Sequence, residues 1–88
     1  MRIREGFILR NVADCWVVVP VGSRVVDFNG LLSLNETGAF IWNQLEQENH
    51  PEKVVEKLLE EYNIDKKTAK QDLDSFLELL EAKNLLIV

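Results

Sequence analysis

Phe28-Asn29-Gly30-Leu31-Leu32-Ser33-Leu34-Asn35-Glu36-Thr37-Gly38-Ala39-Phe40-Ile41-Trp42 is the stretch in which the chain changes its hydrophobic period. Asn29-Gly30 between apolar residues is the strongest short hairpin signal, because both residues tolerate the positive φ of a type I′ turn. Leu31 to Leu34 is the return strand. With four residues leading directly into a helix, it is a candidate edge strand whose outer N–H and C=O groups lack a partner. Asn35 is a good N-cap, Glu36 puts negative charge in the first turn, and Phe40, Ile41 and Leu45 recur at helical spacing. Gly38 in that turn costs about 1 kcal/mol relative to Ala. A closely packed neighbour and simple tolerance of glycine near a helix end both account for it.

Toward the N-terminus the chain reads as β. Phe7 to Val12 and Cys15 to Val19 are rich in β-branched and aromatic residues, and Ala13-Asp14 between them is short enough for a hairpin. Pro20-Val21-Gly22-Ser23 interrupts the run, since proline removes a ladder donor and glycine permits a bulge or turn. Val25 to Phe28 resumes it. Toward the C-terminus the chain reads as helix. Pro51 is placed as a first helical residue, and Val54, Val55, Leu58, Leu59 and Tyr62 repeat on one face until Asn63. Asp65 caps a third helix, with Ile64 and Ala69 placed as a hydrophobic staple. That helix runs to about Lys83, with Ala69, Leu73, Phe76, Leu77 and Leu80 as its core stripe, while Leu79 lies on the side shared by Asp72 and Ser75. Leu85 to Val88 is apolar and adds a terminal strand or packs on the core.

These elements make one α+β domain over residues 1–88: a small antiparallel sheet of three to four strands (7–34), three helices (35–84) and a short apolar tail (85–88). The 88 residues carry ten Lys and Arg against fifteen Asp and Glu, a formal charge of −5, and 47% are hydrophobic. At this size folding hides only about 60–65% of the unfolded surface, which leaves little scaffold for a deep catalytic cavity. The sequence shows no nucleophile with a base, no metal cluster and no phosphate-binding loop, so the chain is read as a binding module and not an enzyme, with no cofactor. Cys15 alone forms no internal disulfide, and in its apolar run it reads as a buried, inert thiol. No signal peptide or membrane span is evident, so the expected location is the cytoplasm.

Charge is unevenly distributed. Residues 1–34 sum to +1 and residues 35–88 to −6. Three helices after a small sheet suggest a helix-turn-helix with a β appendage, for which DNA binding through the third helix is the obvious reading. However, residues 66–83 hold four Lys against four acids, where a groove-reading helix carries a basic surplus. Nucleic acid is therefore not expected as a partner.

Leu34-Asn35-Glu36-Thr37-Gly38-Ala39-Phe40-Ile41-Trp42 resembles the Leu-Asn-x-Thr-Gly-x-x-Ile-Trp signature of the PqqD family, the D protein of pyrroloquinoline quinone biosynthesis and its relatives. Lys70-Gln71-Asp72-Leu73, Phe76-Leu77-Glu78-Leu79-Leu80 and Leu85-Leu86 also resemble that family's third helix and tail. The likeness runs from about residue 7 to 86, with the segment Pro20 to Val26 longer than the usual connection. It implies a winged helix-turn-helix-like domain that binds peptide in place of DNA. Such a domain holds the leader of a ribosomally made precursor so that a partner, often a radical S-adenosylmethionine maturase, modifies the core. In that family the leader adds as a strand to the sheet edge against the third helix, a mode in which backbone bonds give affinity and alternate pockets give specificity.

Carried onto this chain, the peptide-binding residues are Leu31, Leu32, Ser33 and Leu34 on the edge and Asp72, Ser75, Phe76 and Leu79 on the facing helix. Alternation should bury one of the pairs Leu31/Ser33 and Leu32/Leu34 and leave the other to the groove. Asp72 is either a partner for a basic leader residue or a solvated helix acid, and Phe76 and Leu79 are either pocket or core. Trp16 and Trp42 read as packing residues, and His50 as a cap or simply exposed. The alternatives in function are a dimerising structural module that uses the same edge and a winged-helix DNA-binding regulator.

Overall fold

The structure, a computed structural model, describes residues 2–22, 32–47 and 50–87. The elements in chain order are β1 (Arg2–Ile3), β2 (Phe7–Val12), β3 (Cys15–Pro20), β4 (Leu32–Leu34), α1 (Glu36–Glu46), α2 (Pro51–Glu61), α3 (Lys66–Ala82) and β5 (Leu86–Ile87). The expected strand Val25–Phe28, the Asn29-Gly30 turn and Leu31 lie outside the described residues.

β2, β3 and β4 form an antiparallel sheet in that order. The first hairpin closes where the sequence expects it, with Val12 opposite Cys15 and both turn residues in the left-handed region, Ala13 at φ 50° and Asp14 at φ 65°. Two positive φ values match the strand twist. For Ala13 that conformation costs about 1 kcal/mol.

β4 pairs with β3, placing Leu34 opposite Trp16, Ser33 opposite Val17 and Leu32 opposite Val18. The sequence reading sent this strand back along Val25–Phe28; among the described residues its pairing is with β3. The alternation assigns the faces. Phe7, Val18, Leu32 and Leu34 are buried under the helices, with Leu9 and Trp16 packed against that core. Ile8, Arg10, Val12, Cys15, Val17, Val19 and Ser33 point the other way. Cys15 is exposed, which corrects the expectation of a buried thiol. The apolar run was read without its phase, and Cys15 falls on the outward phase at the end of the hairpin.

Asn35 caps α1, its Oδ1 accepting from the Gly38 N–H at 2.7 Å, and Asp65 caps α3 in the same way from the Thr68 N–H at 2.7 Å. His50 precedes α2 without a side-chain cap bond and is exposed. Ile41, Trp42, Leu45, Val54, Leu58, Leu73 and Leu80 fill the centre of the core, each almost fully buried. Both tryptophans pack as expected, although the buried Trp42 Nε1 has no hydrogen-bond partner.

α3 ends in a left-handed Asn84 at φ 58°. The Leu85 N–H donates to Leu80 O at 2.8 Å and the Asn84 N–H to Glu81 O at 3.0 Å, the paired bonds of a Schellman motif, and both leucines are fully buried. The tail then forms β5, paired antiparallel with β1, so the terminal-strand reading of Leu85–Val88 holds for Leu86–Ile87. The partner strand β1 was not anticipated.

Candidate functional site

β4 lies at one end of the three-stranded sheet and, among the described residues, has a strand on one side only. Beside this open edge is a groove of about 340 Å³ between β4, the first turns of α1 and one face of α3. Its lining is Ser33 and Leu34 from β4, Asn35, Thr37, Gly38 and Ile41 at the start of α1, and Asp72, Ser75, Phe76 and Leu79 from α3.

The contribution of α3 follows from helical geometry. Asp72, Ser75, Phe76 and Leu79 stand at i, i+3, i+4 and i+7, one stripe of a 3.6-residue helix. The buried stripe of Ala69, Leu73, Phe76 and Leu80 runs beside it, and Phe76 belongs to both. One helix therefore holds the core with one stripe and walls the groove with the next. Phe76 is buried at 7% exposure and still lines the groove, while Leu79 is half-buried. Core and pocket are not alternatives for these two residues.

The floor is set by Gly38. A Cβ built there would stand 3.1 Å from Asn35 Oδ1, 3.3 Å from Phe76 Cε1 and 3.4 Å from Leu34 Cβ. A methyl at this position would sit tightly against Asn35 Oδ1 and Phe76 and in ordinary contact with Leu34, so the glycine stands where the groove floor is closely packed. Thr37 on the rim is tied inward by a hydrogen bond with Tyr62, whose ring meets Phe40 edge to face at 5.6 Å. Burial pushes the Tyr62 phenol above its ordinary value, helped by the Glu36 and Glu61 carboxylates and opposed by the Thr37 bond. It stays neutral and available as a hydrogen-bonding partner at physiological pH.

Of the eight residues expected at the site, Ser33, Leu34, Asp72, Ser75, Phe76 and Leu79 come together around the groove. Leu32 is buried on the core side of β4 and is not among the lining residues, and Leu31 lies outside the described residues. The pair Leu32/Leu34 is the buried one and Ser33 is exposed. Leu34 nevertheless reaches the groove, so burial and groove contact are not exclusive along this strand. Asn35, Thr37, Gly38 and Ile41 were not picked out as site residues. The available signal was topological: the residues that join β4 to the helices must floor any groove between them. Asp72 is the one charged side chain among the described lining residues. The rest is apolar wall with hydroxyl and amide groups on the rim, an arrangement suited to holding an extended chain.

A sheet edge beside a groove with an apolar wall and a polar rim, on an α+β domain of the winged helix-turn-helix kind, defines the class. A family model for coenzyme PQQ synthesis protein D (PqqD) matches residues 15–86, and this chain belongs to the PqqD family. Comparison with curated proteins found no match. Two solved structures are similar across nearly their whole length. One is TbiB1 in complex with the TbiA(beta) leader peptide, at 29% identity and a TM-score of 0.77, covering 98% of this chain and 94% of that one. The other is lasso peptide synthetase B1 complexed with the leader peptide, at 21% identity and a TM-score of 0.77, covering 99% and 96%; its likeness is one of fold. Among the described residues no helix is long and apolar enough to cross a membrane.

Proposed function

We propose that this chain is a peptide-recognition domain that captures the leader of a ribosomally made precursor peptide as an added strand on β4 and presents it to a modifying enzyme, such as a radical S-adenosylmethionine maturase. The observation that carries the reading is the coincidence of the β4 edge, which has no second strand among the described residues, with the groove walled by α3. Strand addition needs both together, backbone groups for affinity and a pocket for alternate side chains. Family membership and the likeness to TbiB1, whose structure holds a leader peptide, support it.

In this reading the backbone of Leu32–Leu34 pairs with the leader. Leu34, Phe76, Leu79 and Ile41 receive an apolar leader side chain over Gly38, Ser75 supplies a hydroxyl, and Asp72 pairs with a basic leader residue. The domain acts in the cytoplasm with its enzyme, takes no cofactor and leaves the chemistry to that partner. The test is a titration with the precursor peptides encoded beside its gene, read by calorimetry and tryptophan fluorescence. Trp16 is half-buried opposite Leu34, so its emission should respond to an added strand. Affinity no better than millimolar for every such leader, about −4 kcal/mol, would sink the proposal.

A further inference from the structure

Residues 66–83 hold four Lys and four acids, and helical geometry sorts them by face. At about 100° per residue, all but two of them stand at least about 120° round α3 from Asp72, off the groove stripe. The two are Asp72 itself and Lys83. Eleven residues make about three turns, so Lys83 falls within about 20° of Asp72. Its backbone N–H donates to Leu79 O at 3.1 Å, an i→i−4 bond that keeps this C-cap residue in helical register. The groove stripe therefore continues past its apolar wall: Asp72, Phe76, Leu79 and Lys83 stand at i, i+4, i+7 and i+11, with an acid at one end and a base at the other. Both charged residues are exposed, and among the described residues neither side chain is held by an ion pair.

The length of the stripe sets the spacing its occupant must have. A strand lying against it presents every second side chain, about 6.6 Å apart. Asp72 and Lys83 are separated by about 16 Å along the helix axis. Helical side chains lean toward the helix N-terminus, and the longer lysine leans further than the aspartate, which brings the two charged ends closer together than their Cα atoms. Four strand residues, about 13 Å, match that shortened distance, whereas two are too few and six, about 20 Å, too many. The residue midway between falls over Phe76 and Leu79, where the wall is apolar.

We propose that Asp72 and Lys83 read charge at the two ends of the groove, and that the leader accepted here carries a basic and an acidic residue four positions apart with an apolar residue midway between them. The inference rests on the strand-addition reading and adds Lys83 as a binding residue and the side-chain pattern of the occupant. A leader with the two charges exchanged sets its acid against Asp72 and its base against Lys83, so the same two residues also select the direction in which the peptide lies.

The experiment uses the full chain, a synthetic peptide of the tightest-binding leader encoded beside its gene, and a copy of that peptide with the basic and acidic residues exchanged. Affinities are measured by calorimetry for wild type, Asp72→Lys, Lys83→Glu and the double variant, with thermal midpoints alongside. Each single reversal should weaken the natural leader about three- to tenfold at low salt, and about 0.5 M salt should remove most of that difference. The double variant should prefer the exchanged peptide to the natural one, the reverse of the wild-type order. Lysine at a helix C-terminus also suits the helix dipole. A Lys83→Glu variant that lowers the thermal midpoint yet binds the natural leader like wild type assigns Lys83 that role alone and overturns the proposal. So does a binding leader that lacks such a charge pair, or a double variant that keeps the wild-type preference. In each of these cases the wild type still binds leader and the strand-addition reading stands. A wild type that binds none of the leaders removes that reading and this inference with it.

Discussion

Gly38 and Asp65 sit at the starts of two helices and answer to different forces. At Gly38 alanine would gain up to about 1 kcal/mol of helix propensity. The added methyl would crowd Asn35 Oδ1, the acceptor of the helix's own cap bond, and Phe76, part of both core and groove. Losing the cap costs about 1 kcal/mol and overpacking about 1–3 kcal/mol. Gly38→Ala is therefore expected to destabilise by about 1–3 kcal/mol and to weaken leader binding; a raised urea midpoint would show that Phe76 gives way freely. Asp65 differs in that its cap titrates. Bonds from the Thr68 backbone and side chain hold its carboxyl below the ordinary 3.8. A folded value below the unfolded one means stability that is present above pH 3.8 and lost as pH falls through the lowered value. Asp65→Asn keeps a capping oxygen without the charge, so the difference in thermal midpoint between wild type and this variant should shrink as pH falls below about 4. A difference constant down to pH 2.5 would mean that the carboxylate is not what the cap stabilises.

At the scale of the element, β4 is a three-residue strand that carries the proposed function on its backbone. Ser33 is exposed at its centre, and proline is tolerated on edge strands because the missing donor is not needed by the fold. Ser33→Pro is expected to reduce leader affinity about tenfold or more while moving the urea midpoint little. Normal leader binding by this variant would place the peptide elsewhere. The strand, the helix starts and the stripe on α3 were all legible, because each is written locally: a cap beside a periodic run, or residues at i, i+3, i+4 and i+7. Partnership was less legible. The sequence showed a strand ending at Leu34 but not its pairing with β3, which follows from the core that Leu32 and Leu34 share with Val18. The floor of the groove was missed for the same reason. Gly38 announces a close approach but not which side chain approaches, and Phe76 comes from 38 residues further along.

At the scale of the whole molecule the two ends of the chain hold each other, and no local pattern encodes that. β1 and β5 are two residues each, below what a sequence reading resolves, and they pair across almost the whole length of the chain. The Arg4 guanidinium donates to Asn84 O at 3.0 Å and to Asn84 Oδ1 at 3.2 Å, and the Arg4 N–H donates to Leu85 O at 2.8 Å. The clasp thus grips the left-handed residue that terminates α3, the helix that walls the groove. Residues 2–12 precede the part of the chain that the family model matches, yet β2 supplies one side of the sheet and β1 covers the tail. Deleting residues 1–4 removes the buried Ile3, worth about 2–4 kcal/mol, and the bonds of Arg4, worth about 1 kcal/mol at this exposed position. A domain of 88 residues has roughly 4–13 kcal/mol of stability in total. The truncated chain should therefore lose a large share of its urea midpoint, while Arg4→Ala alone should lose a small one. Leader affinity should follow folded population in both, since neither change touches the groove lining. A truncated chain that unfolds like wild type would show that α3 keeps its position through the core alone, and that the meeting of the two ends is a consequence of the fold and not one of its supports.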